Sequence, residues 1–219
     1  MDTTPLQLDE EVRAIDAALR MSRLRDQIEL VSHWAVRIED VAELLLRHRP
    51  AFIHFSGHGS ADNRIALQGA AGRSAEVDGD AFVALVQLAG KTAQGVFLNA
   101  CYSELQGQLL AESIPAVIAV AGEIEDEAAI VFAGAFYRAL GYGESIEDAF
   151  RLALAELQAT WPDQVQNVHL FGTAAARRFQ ITAAAHPADT GTHIHDSTIK
   201  GMVQTNYGHV SMTFNEETE

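Results

Sequence analysis

The chain has 219 residues with 15 basic and 30 acidic side chains, a net charge of −15 and 48% hydrophobic residues. This length fits one full-sized domain or one domain with an appendage, and the apolar fraction excludes a wholly disordered chain. The charge argues against nucleic-acid binding by phosphate neutralisation. No apolar run reaches the length of a membrane span. The single cysteine, Cys101, excludes an intrachain disulfide.

The hydrophobic pattern alternates helices with short apolar strands. Apolar residues at helical spacing predict amphipathic helices, and short continuous apolar runs predict buried strands. In chain order, the predicted elements are a helix over 9–20, a strand over 28–35, a helix over 39–48, a strand over 51–55, a helix over 78–89, a strand over 95–98, a helix over 104–112, a strand over 116–121, helices over 126–140 and 145–157, and a strand over 168–171. This alternation favours an α/β domain whose mostly parallel central sheet is flanked by helices.

The composition changes near residue 183. The segment 183–191 is rich in Ala, Pro and Gly and is typical of a linker, and the residues after it are β-prone. We therefore expect a folded domain over 1–182, and a linker with a short interaction tail over 183–219. The first residues lack the basic and apolar regions of a signal peptide, so we expect a cytoplasmic location.

Reactive side chains follow two of the predicted strands. His58 stands between Gly57 and Gly59 after one strand, and Cys101 follows the next strand. Ligands of parallel sheets bind beyond the carboxyl ends of the strands, where an imidazole and a thiol can form a base and a nucleophile. The backbone N–H groups of Gly59 and Cys101 would hold the oxyanion, and the helix beginning near Glu104 would favour the thiolate. Taken alone, a lone cysteine is more often a small buried hydrophobe, and such a histidine a turn residue.

The segments around both residues resemble the catalytic signatures of CHAT domains, which are caspase-like peptidases related to separase. The matching runs are FIHFSGHG at 52–59 and FLNACYS at 97–103, with further matches at 8–11, 34–36 and 133–140. This resemblance spans about residues 5–180. It implies a caspase–haemoglobinase fold, with His58 as base and Cys101 as nucleophile, and no strict need for a third residue to orient the histidine.

The same resemblance implies an apolar strand before the first helix, and that strand is missing from this sequence. A sheet that lacked the strand would leave unpaired backbone groups in the core. We therefore expect either that the chain starts downstream of its true start or that another segment fills the vacant position.

An acidic cluster over 123–127 follows the third apolar strand of the expected sheet. Many peptidases of the clan named by the resemblance cleave after basic residues, and a carboxylate at the same rim can pair with a substrate Arg or Lys. Asp126 is the first candidate, followed by Glu123 and by Asp62 in the loop after His58. The alternatives are carboxylates that only stabilise a helix N-terminus, and a plain turn residue at Asp62.

Two further features lie near the end of the chain. His193 and His195 alternate as metal ligands on a strand do, but two histidines without a third ligand make a weak site, so we expect no metal and no cofactor. Segment 199–214 has low charge, no proline and β-prone residues, which fits cross-β pairing, and it loosely resembles amyloid-type or RHIM-like signalling motifs. An activator or partner effector with a similar motif would bind by strand addition. The alternatives are a hairpin docked on the domain and a disordered tail.

The resemblance and the residues together favour a cysteine endopeptidase of CHAT type. We expect it to cleave a specific protein after Arg or Lys, as an effector in a bacterial antiviral defence or programmed cell-death system. The alternative is a catalytically silent CHAT-fold adaptor that recruits partners through its tail. A third hypothesis is a redox-sensing cysteine without hydrolysis.

Overall fold

A computed structural model describes residues 6–70 and 73–181, together with three short strands of the later chain at 199–200, 203–205 and 215–216. The predicted metal-compatible pair, His193 and His195, lies outside the described residues. Of the predicted interaction segment 199–214, only the first two of those short strands are described.

Helices and strands alternate along the described residues. The α-helices are α1 (Leu8–Arg20), α2 (Ile38–His48), α3 (Gly79–Ala89), α4 (Glu104–Leu110), α5 (Asp126–Gly141) and α6 (Ile146–Thr160). The strands are β1 (Phe52–Gly57), β2 (Gly59–Ser60), β3 (Arg64–Gln68), β4 (Ser74–Asp78), β5 (Gly95–Ala100), β6 (Ala116–Val120), β7 (Val168–Gly172), β8 (Ile199–Lys200), β9 (Val203–Thr205) and β10 (Asn215–Glu216). Short 3₁₀ helices lie at Arg25–Gln27, Pro162–Asn167 and Ala176–Arg178.

The central sheet has the strand order β7-β6-β5-β1-β9. Strands β6, β5, β1 and β9 run parallel, and β7 is antiparallel to β6. The predicted α/β class with a mostly parallel central sheet is therefore confirmed. None of the helices in the described part of the chain is both long enough and apolar enough to cross a membrane.

Helices cover both faces of this sheet, which is why its strands are apolar without alternation. Phe52 and Phe97 belong to a buried cluster with α1, α5 and α6, whereas Ile53 and Val96 belong to a cluster with α2, α3 and α4. Successive side chains of a strand point to opposite faces. Residues of β1 at even positions and residues of β5 at odd positions therefore face α1 and α5.

Several element boundaries follow from local signals in the sequence. A serine caps the start of α6, because the Ser145 hydroxyl accepts a hydrogen bond of 3.1 Å from the Asp148 N–H. Helix α2 ends at His48, and Arg49 then takes a left-handed conformation before Pro50.

The predicted strand over 28–35 is wrong. Only the isolated bridge residues Glu29 and Trp34 have strand-like pairing there. The physical reason is that Ile28 and Leu30 pack, partly buried, against the outside of the cluster under α1 and α5. Their apolar character therefore reflects packing against helices and not entry into the sheet.

A small antiparallel sheet follows His58 and was not predicted. Its strand order is β2-β3-β4, and it lies in the chain between β1 and α3. Strand β4 is only half-buried and has polar or small residues at most positions, so it lacks the apolar run that identifies the central strands. Strand β4 forms because it pairs with β3, and the local sequence pattern does not reveal such a pairing.

Three residues from beyond the predicted domain boundary enter the central sheet. Strand β9 pairs in parallel with the outer edge of β1, with His54 opposite Val203 and Ser56 opposite Thr205. Strands β8 and β10 pair antiparallel with each other. A later segment thus adds a strand next to β1. This agrees with the expectation that another segment fills the position of the missing strand. The division of the chain at residues 182 and 183 stays a prediction.

Candidate active site

His58 and Cys101 follow neighbouring parallel strands at the same level of the sheet. Strands β1 and β5 pair with Gly57 opposite Ala100, so His58 and Cys101 each lie one residue beyond the last pair. Both residues are half-buried. The strand pairing therefore brings the imidazole-bearing loop and the thiol-bearing loop together at the carboxyl end of the sheet.

The two loops touch through a glycine. A Cβ atom placed on Gly59 would lie only 2.0 Å from the carbonyl oxygen of Cys101. The next residue, Tyr102, has a left-handed φ of 56° and donates a backbone hydrogen bond of 2.9 Å to the Gly122 carbonyl. Gly59 is therefore required by the close approach of one backbone to another, and the loop after β6 completes the rim.

The backbone amides predicted to hold an oxyanion lie at this contact. The Ala66 N–H donates to the His58 carbonyl at 2.9 Å, so the neighbouring pair of Gly59 with Ile65 is of the non-hydrogen-bonded kind. The Gly59 N–H is therefore directed away from β3. The role of the Gly59 and Cys101 N–H groups as oxyanion donors stays a prediction.

The resting site holds a neutral thiol and a neutral imidazole at neutral pH. Burial is the main factor that raises the pKa of Cys101, and the charges of Glu123 and Asp126 raise it further. Burial lowers the pKa of His58, against the opposing charge of Asp126. Burial and these two carboxylates therefore act against the thiolate, and the expected opposite effect of the helix beginning at Glu104 stays a prediction.

The three predicted substrate-binding carboxylates differ in their placement. Asp126 is the first residue of α5 and accepts a hydrogen bond of 2.7 Å from the Gln7 N–H. Burial, foremost, raises the pKa of Asp126. Glu123 is exposed and accepts a hydrogen bond of 3.2 Å from the Tyr102 hydroxyl.

Asp62 lies in the exposed turn between β2 and β3. The carboxylates whose charges shift the pKa values of His58 or Cys101 are those of Asp126 and Glu123, and not that of Asp62. The structure thus brings the first two candidates to the rim that carries His58 and Cys101.

A buried polar cluster below this rim was missed by the sequence reasoning. Glu11 of α1 is only 3% exposed, and its carboxylate accepts hydrogen bonds from Ser56 and from Asn99. His54 lies beside the same carboxylate. Two features of the sequence could have indicated this cluster. Polar residues stand at alternate positions of two otherwise apolar strands, and an acidic residue lies one turn before Ile15 on the inward face of α1.

The charge of Asp126 gives a testable effect on the thiol. Asp126→Asn keeps an acceptor for the Gln7 N–H but removes a negative charge that raises the pKa of Cys101. The pKa of Cys101 then falls, so the thiolate fraction at neutral pH rises. We expect alkylation of Cys101 by iodoacetamide to become about threefold faster.

The matched control is Glu125→Gln, because Glu125 is exposed and its charge is not among those that shift the pKa of Cys101. Alkylation rates are measured between pH 6 and 9 by mass spectrometry. A slower reaction of Asp126→Asn, or an equal acceleration in both variants, would contradict the electrostatic role of Asp126.

Comparison with known proteins identifies the family of the chain. The family model for the CHAT domain matches residues 3–194. A curated relative, a Roc-COR-CHAT protease from an unknown prokaryotic organism, is 22% identical over 160 residues, which cover 70% of this chain. The match takes in only 15% of that relative's own length. Because the family model spans most of the sequence, the chain belongs to the CHAT domain family.

Proposed function

We propose that this chain is a cysteine endopeptidase with His58 as general base and Cys101 as nucleophile. The observation that carries the proposal is the register of β1 and β5, in which both residues lie one position beyond the pair of Gly57 with Ala100. Membership of the CHAT family and the protease name of the relative support a peptidase. The proposed dyad adds the residues that perform the reaction.

The neutral resting pair determines how the reaction begins. As the sulfur of Cys101 attacks the carbonyl carbon of the scissile peptide bond, His58 takes the thiol proton, and no thiolate is needed beforehand. The N–H groups of Gly59 and Cys101 stabilise the resulting oxyanion. The imidazolium of His58 then protonates the leaving amine, which leaves a thioester on Cys101. Water, deprotonated by His58, hydrolyses the thioester and restores the thiol.

We assign the primary specificity to basic side chains. Asp126 and Glu123 place negative charge beside the nucleophile, and a substrate Arg or Lys that neutralises them forms charge-assisted hydrogen bonds. The same contact removes the negative charge that keeps the pKa of Cys101 high. A basic substrate would thereby favour ionisation of the nucleophile as it binds.

Cleavage-site mapping tests this function. The chain is incubated with a pool of denatured bacterial proteins, and new amino termini are identified by mass spectrometry, with Cys101→Ala as the inactive comparator. We expect new termini that follow Arg or Lys in the wild type only, and their loss in Asp126→Ala. Identical termini in the wild type and Cys101→Ala would overturn the peptidase assignment.

We further propose that segment 199–214 recruits an activator or partner effector in a bacterial defence or cell-death system. The support is that β9, from within this segment, already forms parallel backbone pairs with β1. A segment that pairs with one strand edge is able to pair with a similar segment of another chain.

The tail proposal predicts a difference between the full chain and a chain that ends at residue 198. At high concentration, we expect only the full chain to form large species that bind thioflavin, because cross-β pairing needs the β-prone segment. Sedimentation and thioflavin fluorescence measure this difference. A full chain that stays monomeric and thioflavin-negative would contradict the assembly role.

A further inference from the structure

The carboxylate of Glu11 joins the two strands that carry the dyad. One carboxylate oxygen, Oε2, accepts a hydrogen bond from the Ser56 hydroxyl of β1. The other, Oε1, accepts a hydrogen bond from the Asn99 side-chain amide of β5. All three residues are at least nine-tenths buried, so water does not replace these bonds.

This cross-link lies immediately before the catalytic positions. Ser56 and Asn99 are opposite each other in the register of β1 and β5, and each stands two residues before a member of the dyad. Side chains two residues apart on a strand point to the same face. The carboxylate of Glu11 therefore lies on the face toward which the strands direct His58 and Cys101.

Two further polar side chains lie on the other side of the carboxylate. The Tyr137 hydroxyl lies 2.8 Å from Nδ1 of His54, and Nε2 of the same ring lies 3.1 Å from Oε1 of Glu11. Burial, aided by the charge of Glu11, raises the pKa of Tyr137 well above its usual value.

Packing holds Glu11 in this position. Ile15 and Leu19, which follow it on the inward face of α1, are buried in the cluster beneath α5. The packing of α1 therefore fixes the position of Glu11 beside the ends of β1 and β5. The exposed neighbour Glu10 contacts only Arg13 of the same helix among the ion pairs of the described residues.

We propose that Glu11 is a positioning residue of the dyad, which holds the ends of β1 and β5 in register so that His58 lies beside Cys101. This role rests on the proposed peptidase function. Without the carboxylate, the Ser56 hydroxyl and the Asn99 amide are buried with no shared acceptor, and only the backbone pairing of β1 with β5 still holds the strand ends together. A displacement of about 1 Å between reacting groups costs on the order of 100-fold in rate.

The test measures alkylation of Cys101 by iodoacetamide at neutral pH in five proteins. These are the wild type, Glu11→Gln, His58→Ala, the variant with both substitutions, and Glu10→Gln as the matched surface control. We expect Glu11→Gln to react at least about tenfold more slowly than the wild type. This is less than the loss of about 100-fold that a displacement of about 1 Å would cause. Glu10→Gln should react at the wild-type rate. In the His58→Ala background, Glu11→Gln should have no further effect, because it acts through the pair.

The possible outcomes distinguish failure of the positioning role of Glu11 from failure of the proposed peptidase function. An unchanged rate in Glu11→Gln, with the His58 dependence of the wild type intact, overturns the positioning role alone. An equal loss in both backgrounds also overturns it, because a general structural effect does not depend on His58. Equal rates in the wild type and His58→Ala overturn the peptidase function, and the positioning role with it.

Variants of the two partners keep the test decisive if Glu11→Gln does not fold, as judged by thermal unfolding. Ser56→Ala and Asn99→Ala each remove one arm of the cross-link and leave Glu11 in place. Each should show a loss of rate that disappears in the His58→Ala background. Rates equal to the wild type in both variants overturn the proposal.

Discussion

His58→Ala is expected to slow peptide hydrolysis by about 10²- to 10⁴-fold, the usual contribution of a positioned general base. The reason is the protonation state of the resting site. Because burial and two nearby carboxylates raise the pKa of Cys101, little thiolate is present at neutral pH without a base. The measured quantity is kcat/KM for a peptide with Arg before the scissile bond.

The matched control for this loss is His169→Ala. His169 lies on β7, where its Nδ1 is 2.9 Å from a carboxylate oxygen of Glu104, and it is not part of the proposed dyad. We expect that variant to hydrolyse the peptide at close to the wild-type rate. Equal losses in both variants would show that removal of any imidazole lowers activity, which would argue against a specific base at His58.

Gly59→Ala is expected to abolish most of the activity through sterics alone. Its Cβ would lie 2.0 Å from the carbonyl oxygen of Cys101 and 3.2 Å from the carbonyl carbon, both of them backbone atoms that do not yield by rotation. The two loops must therefore move apart. We expect a loss of about 100-fold or more in kcat/KM, since reacting groups displaced by about 1 Å lose that much.

Gly134→Ala is the matched control for this substitution. Gly134 lies inside α5, and a Cβ there would contact the side chain of Ala14 at an ordinary 3.7 Å. Alanine in a helix interior is favoured over glycine by about 1 kcal/mol, so this variant should be at least as stable as the wild type and fully active. If Gly59→Ala retained wild-type hydrolysis, the contact between the two loops would have no role in catalysis.

The central strands and the placement of His58 and Cys101 after two of them could be predicted because their signals are local. Buried parallel strands are continuous apolar runs, and ligands bind beyond their carboxyl ends, so the sequence alone indicated where His58 and Cys101 would lie. The cap at Ser145 is local in the same sense, since a side chain and an N–H three residues apart define it.

Features that depend on distant partners could not be predicted. Glu11 bonds to Ser56 and Asn99, which are 45 and 88 residues away along the chain. The pairing of β9 with β1 likewise joins segments far apart in sequence. The raised pKa of Cys101 follows from burial and from carboxylates after another strand, which a local helix-dipole argument leaves out.

Labelling of Cys101 by a peptide electrophile with a basic residue tests the dyad most directly. The wild type and His58→Ala are treated at neutral pH with a chloromethyl ketone on a peptide that ends in Arg, and the label is located by mass spectrometry. We expect one label per chain, on Cys101, with labelling of His58→Ala slower by about 100-fold or more, as removal of a general base requires. Slow labelling at the same rate in both proteins would contradict the dyad and favour a catalytically silent adaptor.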